Sequence, residues 1–387
     1  MAGKQPLKKK DVTAGFSIKD FKKNFLGEKV GKVADKELEW IIMPKAFQEA
    51  TKLPGFPMGR TSVVRGWTNT GKSTLKNLAI ASAMKQGILP VIFETEGNFD
   101  FQYAKDCGMA IEPVMGVDPE TGEEGIADWE GEYILFTNSK MCEFCGDMDY
   151  SKGEKVKTKR DVAVIEDIGY IINTFLDEQH NGNIPMPILF IWDSIGSIQS
   201  WKSYTSKTGN NMWDANAINT TFKPIFARIA GSKEVGAPYT NTMIAVNKIW
   251  KDTQNSMGGA TAVANSGGEA FKYGARLGIH VGGVATQGTK KLKATVKGIE
   301  REYGTVTKIS VYKNQLPVPF NITYSGTMCC VHNGVITEDD LNDYKKNEFP
   351  KLLEMPWGSE GGIGNVSADD ITFTEIGKVS DEEVPIE

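Results

Sequence analysis

Thr61 to Gly87 reads TSVVRGWTNTGKSTLKNLAIASAMKQG, and the fold is decided by this stretch. TSVVRG is a short β-branched run ending at glycine, which predicts a strand. LKNLAIASAMKQG carries apolar residues at helical spacing and stops at glycine, which predicts a helix. Between them, Gly66-Trp67-Thr68-Asn69-Thr70-Gly71-Lys72-Ser73 matches GxxxxGK[ST], in the strand–loop–helix setting that the pattern needs. The residue types suit a phosphate chain. Glycines let backbone N–H groups turn inward, and the helix N-terminus adds a positive dipole. Lys72 has the length to reach β- and γ-phosphates, and Ser73 offers a hydroxyl to Mg²⁺. Thr74 continues the first helical turn. A glycine-rich turn that matches by chance is the competing reading, and the flanking strand and helix argue against it.

Working outward, PVIFETE reads as a buried strand, FDFQYAKDCG as a short helix and YILFT as a further strand. Residues 138–159 are polar and rich in glycine and lysine, and read as a surface insertion. DVAVIEDIGYIINTFLDEQ resumes helical periodicity. MPILFIWDS is an almost continuous apolar run ending in an acid, as a central parallel strand would be. ANAINTTFKPIFARIAGS predicts the next helix and NTMIAVN the next strand. Strands alternating with helices imply a mostly parallel central sheet flanked by helices. After Gly274, ARLGIHVGG, KLKATVKGIE, TVTKISVYKN and VPFNITYS read as antiparallel strands appended at one edge. Asp193, at the C-terminal end of its strand, is placed to hold Mg²⁺ together with Ser73. Glu94 and Glu96 end the strand after the first helix, where a carboxylate can deprotonate an attacking water. Their spacing of two puts both on one face and does not choose between them.

The chain has 387 residues with 40% apolar and 24% charged side chains, which suits a soluble globular α/β core with small appendages. No run of about 18 apolar residues occurs, so no membrane segment is expected. The basic start MAGKQPLKKKD lacks a following apolar stretch, and the expected compartment is the cytoplasm (a host's, if the chain is phage-encoded). Net charge is −5, which by itself disfavours a nucleic-acid partner. The charge is uneven, however. The first 36 residues hold ten lysines against four acids, while the tail from Ser359 holds eight acids against Lys378. A basic head can bind an anion despite the net sign. Five cysteines at irregular spacing do not suggest a disulfide framework, and three histidines make a His-centred triad or multi-His metal site unexpected. Cys142-x-x-Cys145 is half of a zinc pattern with no second pair at usual spacing.

From about Leu53 to Tyr324 the chain resembles the RecA family, including the related recombinases of T4-like phages. Leu53-Pro54-Gly55-Phe56-Pro57-Met58-Gly59-Arg60 is similar to the family's lead-in to the phosphate loop. Phe93-Glu94-Thr95-Glu96, with Asp100 and Tyr103, resembles its strand-and-cap segment. That resemblance makes Glu96 the hydrolytic base, Tyr103 the residue stacked on adenine and Asp100 a neighbour of its amine. Ile244-Ala245-Val246-Asn247 through Gly267-Gly268-Glu269-Ala270-Phe271-Lys272-Tyr273 resembles the sensor strand, second DNA loop and Gly-Gly helix. Val311-Tyr312-Lys313-Asn314-Gln315-Leu316-Pro317-Val318-Pro319-Phe320 resembles the strand that reaches a neighbouring subunit's ATP. Two departures stand out. Lys248 follows the sensor Asn247 where bacterial members have glutamine, and Gln315 replaces the second inter-subunit lysine, leaving Lys313. Lys248 is therefore expected to contact the γ-phosphate or DNA. The departures look phage-like.

The resemblance implies two DNA loops. The first spans about Gln199 to Trp213 and carries Trp201, Lys202, Tyr204, Lys207 and Trp213. The second spans about Lys248 to Ser266 and carries Trp250, Lys251 and Gly258-Gly259. Lysines neutralise phosphates and aromatic faces stack on bases, which suits single strands, although inward-packed tryptophans would have the same composition. Lys290, Lys291, Lys293, Lys297 and Arg301 read equally as a duplex-DNA patch or a solvated hairpin. The expected division is a basic N-terminal oligomerisation arm (1–45, anchored by Phe16, Phe21 and Phe25), a RecA-like P-loop ATPase core (46–330) and a small C-terminal region with an acidic tail (331–387). The implied activity is ATP- and Mg²⁺-dependent filament formation on single-stranded DNA, with pairing to homologous duplex DNA and strand exchange in recombination and repair. Single-strand-binding and loader proteins are further implied partners. A hexameric helicase on the same core and a non-catalytic ATP-gated mediator are the alternatives.

Overall fold

The structure is a computed structural model that describes residues 35–117, 122–146, 148–155, 160–206, 211–251, 263–265, 268–283, 288–318, 324–354 and 370–374. Along the chain, β1 (Trp40–Ile42), α1 (Lys45–Thr51) and β2 (Gly55–Pro57) lead into β3 (Thr61–Gly66), α2 (Lys72–Lys85), β4 (Leu89–Glu94) and α3 (Phe101–Asp106). A hairpin of β5 (Ile111–Val117) and β6 (Glu124–Gly131) precedes β7 (Ile134–Thr137), α4 (Asn138–Cys145), β8 (Met148–Asp149) and β9 (Glu154–Lys155). Next come α5 (Ile165–His180), β10 (Ile188–Ile195), α6 (Trp201–Ser206), α7 (Asn211–Gly231), β11 (Thr242–Lys251), β12 (Val263–Asn265), α8 (Gly268–Gly274) and β13 (Leu277–Val281). The chain then adds β14 (Thr289–Val296), β15 (Ile299–Asn314), β16 (Ser325–Val331), β17 (Gly334–Ile336), α9 (Leu341–Asn347), α10 (Phe349–Glu354) and β18 (Ile371–Phe373).

The main sheet runs β17-β16-β15-β13-β3-β11-β10-β4-β7. From β13 to β7 every pairing is parallel. Its strands are buried on both faces, and their side chains alternate between two cores. Val64, Ile92, Leu189, Ile191 and Ile244 face α1 and α2. Val63, Val91, Phe93, Phe190, Trp192 and Met243 face α5, α7 and α8. This period of two with both faces covered is why these strands read as unbroken apolar runs. Trp192 anchors the second core, stacked on Phe222 with ring centroids 5.1 Å apart. The sheet is thus a mostly parallel α/β core with antiparallel strands at one edge, the fold class expected from the sequence.

Three local readings change. ARLGIHVGG is not antiparallel to the core: β13 pairs parallel with β3, and only β15 turns the direction. The stretch has the same apolar character in either direction, so its neighbours decide. The 138–159 segment is not wholly a surface insertion. Asn138–Cys145 forms α4, capped by Thr137, with Met141, Cys142 and Cys145 buried in the second core. Burial pushes the Cys145 thiol up to about 12. The polar residues of α4 hide three inward apolar positions, Met141 and Cys142 followed one turn later by Cys145. Finally, β14–β16 share a third core with α9, α10 and β18, including Val306, Val331, Leu341 and Phe349. Among the described residues, no helix is long and apolar enough to cross a membrane.

Candidate nucleotide-binding site

The C-terminal ends of β3, β4, β10 and β11 form one edge of the sheet, and most of the candidate site residues converge there. Gly66 ends β3 so close to β13 that a Cβ would lie 2.1 Å from the Val281 carbonyl oxygen. Asn69 (φ 61°) and Gly71 (φ 102°) adopt the left-handed conformation that turns the loop into α2. Trp67 Nε1 donates to the Gly283 carbonyl at 2.8 Å, and Thr70 Oγ1 donates back to the Trp67 carbonyl at 2.8 Å. Thr68 is exposed. Gly71 gives α2 no side-chain cap, leaving the first-turn N–H groups without a side-chain acceptor. Lys72 is buried and donates to the Trp67 carbonyl, an acceptor that a phosphate oxygen would replace. Burial lowers its ammonium pKa to about 8; Asp193 and Glu96 oppose that shift and Lys248 adds to it. Ser73 is exposed at the same turn, and Thr74 Oγ1 lies 2.5 Å from the Tyr103 hydroxyl.

Asp193 is next to Glu94 in the β10–β4 register. The strand ends are tied together: Thr95 N donates to the Asp193 carbonyl at 2.8 Å, and Ser194 N donates to Thr95 Oγ1 at 3.1 Å. The two glutamates are not equivalent, because β4 ends at Glu94 and Glu96 lies beyond it in a turn. Glu94 is buried and faces Lys76; burial raises its pKa, and Asp193 adds to the rise. Glu96 Oε2 accepts from Lys248 Nζ at 2.6 Å, and Oε1 accepts from Ser194 Oγ. Burial alone would raise Glu96, but the bonds from Lys248 and Ser194 outweigh it and hold the carboxyl below the usual range. Asn247 is buried, in register with Arg65 and Ile195. Asp100 caps α3, accepting from Tyr103 N at 2.9 Å.

Several functional-looking residues escaped the sequence reading. Lys76 donates to Asp193 at 2.7 Å, and its position four residues after Lys72 was the available signal. Ser194 and the buried His280 carried none.

The donor set fits a magnesium–polyphosphate group: a lysine and uncapped helix N–H groups for phosphate, with a hydroxyl (Ser73) and a carboxylate (Asp193) for a hard cation. Among the described residues, no group of three or more His, Cys, Asp or Glu side chains gathers as a metal cage.

Lys313 and Gln315 are not part of this cluster. Lys313 Nζ donates to the Lys272 carbonyl, and Gln315 Oε1 accepts from Arg276 at 3.2 Å. Arg276 N in turn bonds the Thr61 carbonyl at the start of β3. Gln315 therefore lies by the start of β3, and Lys313 is level with Val63 in mid-strand through its partner Gly278, so neither stands at the C-terminal edge. A cavity of about 560 Å³, lined by Arg60, Lys233, Tyr273, Arg276 and Leu316, opens beside them.

Of the candidate DNA residues, Trp201 is half-buried, its ring 5.9 Å from Tyr150 and 5.3 Å from the Arg160 guanidinium. Lys202 is exposed, 4.6 Å from the Trp213 ring. The second loop starts later than expected, because β11 continues to Lys251 and pairs with β12, Trp250 opposite Ala264. On the β14–β15 hairpin, Lys291 and Lys293 are paired with Glu302 and Glu300 at 2.9 and 2.7 Å. Lys207, Gly258-Gly259, the side chains of Trp250 and Lys251, Pro319-Phe320, the N-terminal phenylalanines and most of the acidic tail lie outside the described residues.

Fold and edge chemistry together define a parallel α/β protein with a phosphate-type loop. The sequence profile of the RecA N-terminal domain matches residues 16–131. The chain is similar to Protein RecA of Acholeplasma laidlawii, 34% identical over 123 residues, covering 30% of this chain and 37% of that one. Similarity to Protein RecA of Enterococcus faecalis is 32% over 120 residues (30% and 34%), and to that of Chlorobaculum parvum 35% over 82 residues (21% and 24%). The matched stretches thus span about a quarter to just over a third of these relatives. Residues 16–131 thus carry the RecA N-terminal domain, and it is over this part that the chain is similar to the RecA family.

Proposed function

We propose that this protein is a DNA-dependent ATPase that forms filaments on single-stranded DNA and promotes homologous pairing and strand exchange. The observation that carries this reading is the separation of Lys313 from the other charged groups. Lys72, Asp193, Glu96 and Lys248 share the C-terminal edge, while Lys313 is level with Val63 through Gly278 and bonds the Lys272 carbonyl outside that cluster. A nucleotide seated between two copies would use both groups.

In this reading the backbone of Gly66 to Thr74 and Lys72 hold the phosphates, and Ser73 and Asp193 hold the Mg²⁺ ion. Tyr103 and Asp100 flank the base. Mg²⁺ bound with ATP supplies neutralisation of charge on the transferred phosphoryl group. Glu96 orients a water and takes its proton, while its bond from Ser194 holds the carboxylate in place. Lys248 must first exchange its bond to Glu96 for a bond to phosphate, so arrival of the γ-phosphate or DNA frees the base. Trp201, Lys202, Lys207, Trp250 and Lys251 are the proposed DNA contacts.

The test is steady-state ATP hydrolysis with and without single-stranded DNA. Wild type should be stimulated by DNA. Glu96→Gln should lose at least about 100-fold in turnover and keep its ATP affinity. A wild-type protein whose DNA affinity ignores nucleotide overturns the reading.

A further inference from the structure

Lys76 lies one helical turn past Lys72, outside the loop motif, and its ammonium is enclosed. It is 5% exposed, against 1% for Glu94 and 7% for Asp193. Its Nζ donates to Asp193 Oδ2 at 2.7 Å and sits 3.5 Å from Glu94 Oε2, with the Phe99 ring 5.0 Å away. At this edge three acids (Glu94, Glu96, Asp193) face three lysines (Lys72, Lys76, Lys248), each lysine in its own place. Lys72 bonds the loop, Lys248 bonds Glu96, and Lys76 bridges the other two.

Two neighbouring buried carboxylates repel each other and strongly favour a cation between them. A divalent ion would normally fill that role. Here the chain supplies a monovalent one of its own, covalently tethered and already desolvated.

We propose that Lys76 is a positioning residue that acts as a built-in counter-ion. It fixes the Asp193 carboxylate through Oδ2, neutralises Glu94, and competes with divalent cations for the pair. Divalent binding to the nucleotide-free protein is therefore weak, and the metal arrives together with a polyphosphate whose oxygens complete its ligands. The inference rests on the nucleotide-binding reading above and deepens it by specifying how metal and nucleotide are coupled.

The experiment uses the full chain, Mn²⁺ as the probe and electron paramagnetic resonance to count free ion, with and without ADP; because ADP itself binds Mn²⁺, uptake is the loss of free ion beyond that in protein-free ADP at the same concentration. Wild type should take up Mn²⁺ only when ADP is present. Lys76→Met, which keeps the stem and removes the charge, should bind Mn²⁺ without ADP at least about ten-fold more tightly than wild type, because a nearby unit charge has gone from a sheltered site. Circular dichroism checks the fold. Lys76→Met/Glu94→Gln removes the unbalanced second acid, and should also bind Mn²⁺ more tightly than wild type even if the single variant fails to fold. ADP-dependent uptake by wild type, joined to unchanged Mn²⁺ affinity in the folded variants, overturns the Lys76 inference alone. No uptake by wild type even with ADP overturns the nucleotide reading and this inference with it.

Discussion

His280 sits fully buried on β13, in register with Arg65, with Nε2 3.2 Å from the Gly283 carbonyl oxygen. Burial lowers its imidazole pKa from 6.5 to about 4, helped by the Arg65, Lys72 and Lys308 charges and opposed by the Gly283 bond. The ring is therefore neutral in the fold. Between pH 6.5 and 4 the unfolded chain binds a proton that the folded chain does not. Stability from this group is complete above pH 6.5 and falls with pH, by about 3 kcal/mol at pH 4. His280→Gln should lose correspondingly less stability on going from pH 7 to 4, read from urea midpoints at the two values. Equal losses in variant and wild type would show that the ring is not the group responsible. Nothing in the local sequence announced this histidine, because its environment is made by strands on either side.

At the scale of elements, α5 depends on an ion pair built at its first turn. Asp167 accepts from the two terminal Arg160 guanidinium nitrogens at 2.8 and 2.6 Å, from Tyr150 Oη at 2.7 Å and from the Val164 backbone N–H at 2.8 Å. The last bond satisfies a helix N-terminal N–H group. Arg160 also holds the Cys145 carbonyl at the end of α4. One carboxylate thus joins α4, α5 and the strand-poor segment between them. Asp167→Ala would leave the Arg160 charge buried and unpaired, at a cost of about 3–5 kcal/mol in chemical denaturation. A loss under 1 kcal/mol would mean that water reaches Arg160. The helix itself was legible from its apolar periodicity. Its partner was not, because Arg160 belongs to a polar run in which burial of Met141, Cys142 and Cys145 is imposed by Phe136 and α5.

For the whole molecule, the separation of Lys313 from the charged cluster at the C-terminal edge sets the expectation. Lys313→Ala should leave ADP binding to dilute protein unchanged, since Lys313 is remote from its own loop, yet reduce ATP-dependent assembly on single-stranded DNA. Negative-stain microscopy with DNA and a slowly hydrolysed ATP analogue reads the second effect. Filaments that shorten or vanish in the variant support a nucleotide shared between copies. Closed rings in wild type would favour a translocase instead.

Amino-acid order alone determined the strands and helices of the core and its loop, because these are local, while the direction of β13 was set by its neighbours. Unbroken β-branched runs bury on two faces, glycines permit the turn, and helical spacing fills the crossovers. Only the three-dimensional fold set the two carboxylates apart. Lys76 meets Asp193 across 117 residues and Lys248 meets Glu96 across 152. Glu94 and Glu96 are chemically identical and two positions apart. What separates them is that one lies inside the sheet against a buried ammonium, while the other lies past its edge beside an exposed one.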